Sequence, residues 1–248
     1  MPTTLIIFFT TLVATLLSAA SGGGASAINV PVFLWLGMPF ALATATQKVS
    51  SAFWVLPAAY NYLRGRKVDW QFLIAFATVG LIGVSLGLIV ILAVGDEILR
   101  RTVGALILLF VLFVALKRDL GLAEKPVTSK FRNALAYPGA VALGFYESIF
   151  GAGNGIAFAI LSFYTKGFDF IDALGYYFAI AFVWVLFAAV LLISKGNYDL
   201  VFMMPAVLGS LIGGWLGSKL GRLKGNQFIK TMYVVIGGVL GVKLLLNL

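Results

Sequence analysis

Lys48 and Glu147 are charged residues inside apolar stretches, where charge is expensive. Lys48 lies in Thr44-Ala45-Thr46-Gln47-Lys48-Val49-Ser50-Ser51, roughly 12 Å into an apolar element that begins at residue 40. Charged groups at such depth face a cavity or a partner. Thr44 and Ser51 stand four before and three after Lys48, on the same helical face. Thr44, Gln47, Lys48 and Ser51 therefore form a polar stripe whose ammonium would attract an anion. A lysine snorkelling to the interface is the competing reading. Glu147, in Gly144-Phe145-Tyr146-Glu147-Ser148, leaves three readings open. It is a proton carrier for coupling, since burial disfavours the charged carboxylate, a permanent partner of Lys48, or an acceptor for backbone N–H groups of a broken helix.

The breaks themselves are written in glycine: Gly22-Gly23-Gly24, and Gly151-Ala152-Gly153-Asn154-Gly155. Each precedes a short apolar segment, 26–36 and 156–166, of roughly 17 Å as a helix. That is too short to cross hydrocarbon of about 30 Å. Broken backbone at membrane depth survives only when buried in protein or facing a water-filled cavity. The spacing thus predicts two glycine-hinged hairpins that meet near the midplane. Their half-helices would aim unsatisfied N–H groups and positive dipole ends at an anion. Asn29 and Asn154 are candidate amide donors. The candidate substrate-binding residues are Gly22, Gly23, Gly24, Asn29, Thr44, Gln47, Lys48, Ser51, Gly151, Gly153, Asn154 and Gly155. Gly83/Gly87, Gly213/Gly217 and Gly237/Gly241 read as close helix packing. Trp54 and Trp184 read as core, and Tyr176 and Tyr177 as candidates to line the same cavity.

The elements carrying these residues are those of a membrane protein. Of 248 residues, 61% are hydrophobic and 11% charged, with a mean hydropathy of +1.04. Soluble domains carry roughly a quarter charged residues. No Cys or His is present, which excludes disulfides, thiolate chemistry and imidazole catalysis. The net charge of +9 resides in short loops that orient helices, so nucleic acid is not an expected partner. Leu5 to Ala20 followed by Ala25-Ser26-Ala27 mimics a cleaved leader, but no Lys or Arg precedes Lys48; the segment reads as structural.

Ten apolar elements are expected: 3–20, 26–36, 40–63, 70–94 and 97–116, then 133–150, 156–166, 170–193, 200–220 and 227–246. The second five repeat the first at one constant offset. Gly23, Gly37, Phe40 and Ala43 recur as Gly153, Gly167, Phe170 and Ala173, Trp54-Val55-Leu56 as Trp184-Val185-Leu186, Leu81-Ile82-Gly83 as Leu211-Ile212-Gly213, and Gly95 as Gly225. A duplicated bundle interrupted at matching places is the pattern of secondary transporters. The expected division is a first membrane repeat, 1–116, a cytoplasmic linker, 117–132, and a second membrane repeat, 133–248.

Arg64, Arg66, Lys67, Lys117, Arg118, Lys125, Lys130, Arg132, Lys219, Arg222, Lys224 and Lys230 fall on one side if each half crosses an odd number of times. That side is cytoplasmic by the positive-inside rule. Arg100 and Arg101 beside Asp96-Glu97, with Lys166, Lys195 and Lys243, are expected opposite. The two copies are then antiparallel, with both termini outside.

In these motifs the chain resembles the sulfite exporter TauE/SafE family, also called the toluene-sulfonate uptake permeases. The carriers of the resemblance are Gly22-Gly23-Gly24 leading to Asn29-Val30-Pro31, then Ala43-Thr44-Ala45-Thr46-Gln47-Lys48, and the basic loop Arg64-Gly65-Arg66-Lys67-Val68-Asp69-Trp70. Gly144-Phe145-Tyr146-Glu147 through Gly151-Ala152-Gly153-Asn154-Gly155 is similar to a glycine-rich motif of the second half. Gln47 stands where the family usually has Asn, Glu147 where it has Asp, and Gly175-Tyr176-Tyr177-Phe178 replaces a polar stretch. The resemblance spans nearly the whole chain and implies transport of sulfur-containing anions such as sulfite, sulfoacetate or other sulfonates.

The expectation is an all-α polytopic membrane bundle of two inverted repeats, each with a glycine-broken helical hairpin. It would be a secondary transporter of a small anion, working by alternating access in a prokaryotic cytoplasmic (inner) membrane. A passive anion channel is the alternative. No catalytic residue, metal or cofactor is expected, and an enzyme has little support without a nucleophile–base pair. Partners are the anion, the lipid bilayer and, as candidates, a proton or another coupling ion and further copies of the chain.

Overall fold

The structure, a computed structural model, describes residues 3–91, 96–125, 127–149 and 151–246. Residues 92–94 at the expected end of element 70–94, Gly95, and the side chains of Asp96, Glu97, Arg100 and Arg101 lie outside the described residues. Among the described residues, the secondary structure is all helical: α1 (Thr3–Ser21), α2 (Ala25–Trp35), α3 (Phe40–Leu63), α4 (Trp70–Ile91), α5 (Asp96–Leu116), α6 (Lys130–Ala134), α7 (Ala136–Ile149), α8 (Asn154–Thr165), α9 (Phe170–Ser194) and α10 (Leu200–Leu246). Four of them are long and apolar enough to cross a membrane: Thr3–Ser21, Trp70–Ile89, Phe170–Ser194 and Leu200–Lys243. Large apolar side chains such as Ile74, Ile82, Leu86 and Ile89 on α4 point outward, as contact with lipid requires. The chain is an integral membrane protein.

Glycine ends these helices where the backbone must turn left-handed. Gly22, Gly23 and Gly24 all have positive φ (82°, 127° and 126°), as do Gly151 and Gly153, conformations that cost other residues steric strain. Elsewhere a charged cap starts the helix: the Asp169 carboxylate accepts from the Asp172 amide at the head of α9, satisfying one orphan donor. The last two expected elements are joined. α10 runs on through 221–224 and departs from helical geometry only at Gly225 (φ 81°, ψ −177°), giving two arms.

Both broken helices double back. Ile7 near the start of α1 and Phe33 near the end of α2 share one apolar cluster with Met38 and Ala43. In the second hairpin the Arg132 guanidinium, just before α7, donates to the carbonyl of Tyr164 near the end of α8. The Lys125 amide donates to Gly167 at 2.9 Å, and Phe170 to Gly121 at 2.9 Å. These bonds place Lys166 beside the linker rather than opposite it. A half-helix that turns back at its glycines returns its end to the side it came from. Lys166 thus joins the basic side, its ammonium 4.3 Å from the Phe72 ring centroid.

Small residues set the closest packing. A Cβ at Gly209, Gly213 or Gly217 on the first arm of α10 would collide with the carbonyls of Phe8, Leu12 and Leu16 on α1. Likewise a Cβ at Gly83 or Gly87 on α4 would strike the carbonyls of Val141 and Phe145 on α7. Gly237 and Gly241 lie against Val111 and Leu108 of α5. α3 and α9 pack together in the middle, where Trp54, Tyr62, Phe178 and Trp184 are buried.

Candidate functional site

Midway along α3 and α9 is a cavity of ≈ 30 Å³, room for about one or two water molecules. Its polar wall comes from Gln47, Lys48 and Ser51 on α3, Glu147 and Gly151 at the second break, and Gly23, Gly24, Ala25 and Ser26 at the first. Val55, Ala181 and Val185 make the apolar wall, and Ser18, Trp54 and Tyr177 complete the lining.

Lys48 and Glu147 form one unit. The ammonium donates to the Glu147 main-chain carbonyl at 2.7 Å and lies 3.6 Å from the carboxylate Oε1. Both residues are buried, at 7% and 5% exposure, so neither charge is left to bulk water. The other carboxylate oxygen, Oε2, accepts from Asn154 Nδ2 at 2.8 Å and from the Tyr177 hydroxyl at 2.8 Å. Asn154 also donates to the Leu143 carbonyl at 3.1 Å. Three elements, α3, α8 and α9, therefore converge on one carboxylate carried by α7. Of the readings open for Glu147, the resting geometry is the pair with Lys48.

A second chain of hydrogen bonds runs along the stripe. Asn29 Nδ2 donates to Gln47 Oε1 at 2.8 Å, and Gln47 Nε2 to Ser51 Oγ at 3.0 Å. It fixes α2 against α3 beside the lysine.

The two glycine breaks touch. A Cβ at Gly155 would overlap the Gly22 carbonyl, and one at Gly23 would sit 3.6 Å from the Gly153 amide nitrogen. They do not face the cavity equally. Gly23, Gly24, Gln47, Lys48, Ser51 and Gly151 line it, together with Glu147. Gly22, Asn29, Thr44, Gly153, Asn154 and Gly155 do not line it. Asn154 acts through Glu147, and Asn29 through Gln47. Gly24 starts α2 without a side-chain cap, and the first turn of α2 borders the cavity through Ala25 and Ser26. At the second break, the Tyr146 hydroxyl takes the Ala152 carbonyl at 2.7 Å and the Tyr233 hydroxyl takes that of Gly155 at 2.9 Å.

Tyr177 lines the cavity, whereas Tyr176 stacks on Phe168 at 4.5 Å and accepts from the Asp69 amide. Ser18 and Trp54 were not among the expected site residues. Trp54, read as core, lines the cavity instead; the sequence marks it only as the repeat counterpart of Trp184.

A helical membrane bundle with broken helices meeting at a buried charge pair is the architecture of a transporter. The sulfite exporter TauE/SafE profile matches residues 7–244, and the chain belongs to that family of membrane transporters. It is 29% identical over 221 residues to a "probable membrane transporter protein" of Haemophilus influenzae, covering 88% of this chain and 85% of the relative. It is 26% identical over 229 residues to a "probable membrane transporter protein ORF9" of a Sinorhizobium species, covering 88% and 83%. With the "probable membrane transporter protein YfcA" of Escherichia coli K12 it shares 25% over 225 residues, covering 88% and 81%. No solved structure matches the chain.

Proposed function

We propose that the chain moves a small sulfur-containing anion, such as sulfite, sulfoacetate or another sulfonate, across the cytoplasmic membrane by alternating access. The observation that carries this reading is the buried Lys48–Glu147 pair at the cavity, next to the first turn of α2. In the resting site the two charges neutralise each other, which avoids an uncompensated buried ion. An entering anion competes with Glu147 for the Lys48 ammonium. A proton on Glu147 removes the competitor, and proton plus anion then enter with no net change in buried charge.

The moving units are the two repeats, 1–116 and 133–248, joined by the linker 117–132 and inverted relative to each other. The packing of α1 on the first arm of α10, matched by α7 on α4, supports this arrangement. Each broken hairpin docks on a helix of the other half. The gathering of Lys166 with the linker adds to the basic side, which supports a cytoplasmic linker and termini outside.

The test is stabilisation of the purified protein by sulfite, sulfate, sulfoacetate, taurine, acetate and phosphate, repeated on Lys48→Ala, since a ligand of the folded state raises its stability with concentration. Stabilisation by sulfite or sulfonates that is lost in Lys48→Ala is expected. Stabilisation that survives the substitution removes Lys48 from the site. In proteoliposomes, Glu147→Gln flattens the pH dependence of flux; an unchanged profile ends the proton role. Channel-scale currents without counterflow would replace alternating access with a passive pore.

A further inference from the structure

The cavity holds two buried donors that the charge pair does not use. Ser18 Oγ and Trp54 Nε1 have no hydrogen-bond partner among the described residues, and both residues line the cavity at 2% and 4% exposure. A buried polar group without a partner costs on the order of 1–3 kcal/mol, so native structures seldom keep one without a use.

The contrast with Trp184, which takes the place of Trp54 in the second repeat, shows how the indole comes to be free. Trp184 Nε1 donates to the Ala77 carbonyl at 2.8 Å. It reaches that carbonyl because Gly80 leaves the space: a Cβ there would overlap the indole. Ser210 stands at the position matching Gly80, and Val207 at that matching Ala77. The Ser210 hydroxyl lies 3.0 Å from both the Val207 and the Ser50 carbonyl. The space that Gly80 leaves for Trp184 thus holds a side chain at the equivalent position. Trp54 packs instead on Gly214 and against the Phe178 ring at 5.1 Å, at the cavity.

We infer that Trp54 Nε1 and Ser18 Oγ are specificity-determining donors to the oxygens of a bound oxoanion, with Lys48 holding its charge. The inference rests on the cavity being the substrate site. It selects anions with at least two acceptor oxygens. An indole N–H donates and never accepts, so Trp54 discriminates against cations and against groups presenting only donors. Halides offer no array of separate oxygens and gain little from divided donors.

The experiment measures Kd for sulfoacetate, sulfite and chloride on the wild type and on Trp54→Phe, Ser18→Ala and Trp184→Phe. A second measurement follows the indole 15N–H resonances of the wild type, with Trp54 assigned by its loss in Trp54→Phe. Losing a hydrogen bond to a charged acceptor corresponds to about a ten- to hundred-fold rise in Kd. That rise is expected for both oxoanions in Trp54→Phe and Ser18→Ala, with chloride weak throughout. Trp184→Phe keeps the wild-type Kd, because its donor is tied to Ala77. In the wild type, sulfoacetate shifts the Trp54 resonance and leaves that of Trp184 in place.

Unchanged oxoanion Kd in Trp54→Phe, with a Trp54 resonance indifferent to sulfoacetate, overturns the inference. If Lys48→Ala still weakens binding, the cavity reading survives that result. Binding that depends on none of Lys48, Trp54 and Ser18, or no binding by the wild type, removes both.

Discussion

Removing the Lys48 charge tests whether the buried pair holds the site together. Both partners are less than a tenth exposed, and their charged atoms lie 3.6 Å apart, an attraction of about 4–5 kcal/mol at an effective dielectric of about 20. Lys48→Met strands an anion with two remaining donors, Asn154 and Tyr177. Breaking a buried pair in this way costs about 3–5 kcal/mol, which lowers the thermal midpoint of a chain this size by on the order of 10 °C. Glu147→Gln is milder, because the main-chain carbonyl at position 147 still accepts from Lys48 and the amide oxygen still accepts from Asn154 or Tyr177. The double variant Lys48→Met/Glu147→Gln buries no anion. Its loss therefore falls short of the sum of the singles by about 2 kcal/mol, within the range of coupling between residues in contact. The assay is reversible unfolding in mixed micelles, run as a double-mutant cycle. Additivity within about 0.5 kcal/mol, or a Lys48→Met protein as stable as the wild type, refutes the reasoning.

Gly155→Ala sets a methyl group against the Gly22 carbonyl, where backbone on both sides resists movement. A loss of about 1–3 kcal/mol is expected. Gly238→Ala, in α10 with nothing within 4 Å of the added carbon, gains up to about 1 kcal/mol of helix propensity; equal thermal midpoints for the two variants contradict the packing argument. Arg66 binds Glu124 at 2.8 Å, Asp169 at 3.1 Å and Asp172 at 3.4 Å, tying the linker to the head of α9. Arg66→Ala speeds proteolysis within 117–129, and Arg66→Lys rescues it only partly, because a point charge lacks the fork; full rescue refutes a role for the fork. The chain has no cysteine, so single Lys125→Cys, Lys166→Cys and Lys195→Cys variants report topology directly. The first two are labelled from one side and the third from the other. Labelling of Lys166→Cys together with Lys195→Cys refutes the re-entrant second hairpin.

Much of the helical frame is legible because its punctuation is local. Residues 40–63 emerge as α3, bounded by Pro39 and Gly65, and 70–94 is described to Ile91. Dense glycine clusters disfavour helix and admit positive φ, so both breaks fall where expected. The continuous run of α10 through 221–224 is not legible: the basic turn Lys219 to Lys224 reads as a loop, yet nothing there except Gly225 forces one. The side on which Lys166 lies depends on whether 156–166 goes forward or turns back. That choice is fixed by distant partners, Gly121, Lys125 and Arg132, not by its own residues.

The candidate site was half legible for a related reason. Polar residues in apolar helices mark Lys48 and Glu147 from composition alone, but which atoms they meet depends on the join between the halves. Position 178, matching Lys48, holds Phe178, and position 17, matching Glu147, holds Leu17. Each half therefore contributes to the cavity one buried charge whose counterpart in the other half is apolar. Neither half can bury its charge alone without the penalty for an unpaired ion. Docking the halves supplies the partner at once: Lys48 reaches across to α7, while Tyr177 and Asn154 close on the same carboxylate. Whatever displaces Glu147 from Lys48 weakens one of the bonds between the halves at the cavity. On the proposed alternating-access reading, an anion that takes the lysine would loosen the contact between the two halves at the cavity.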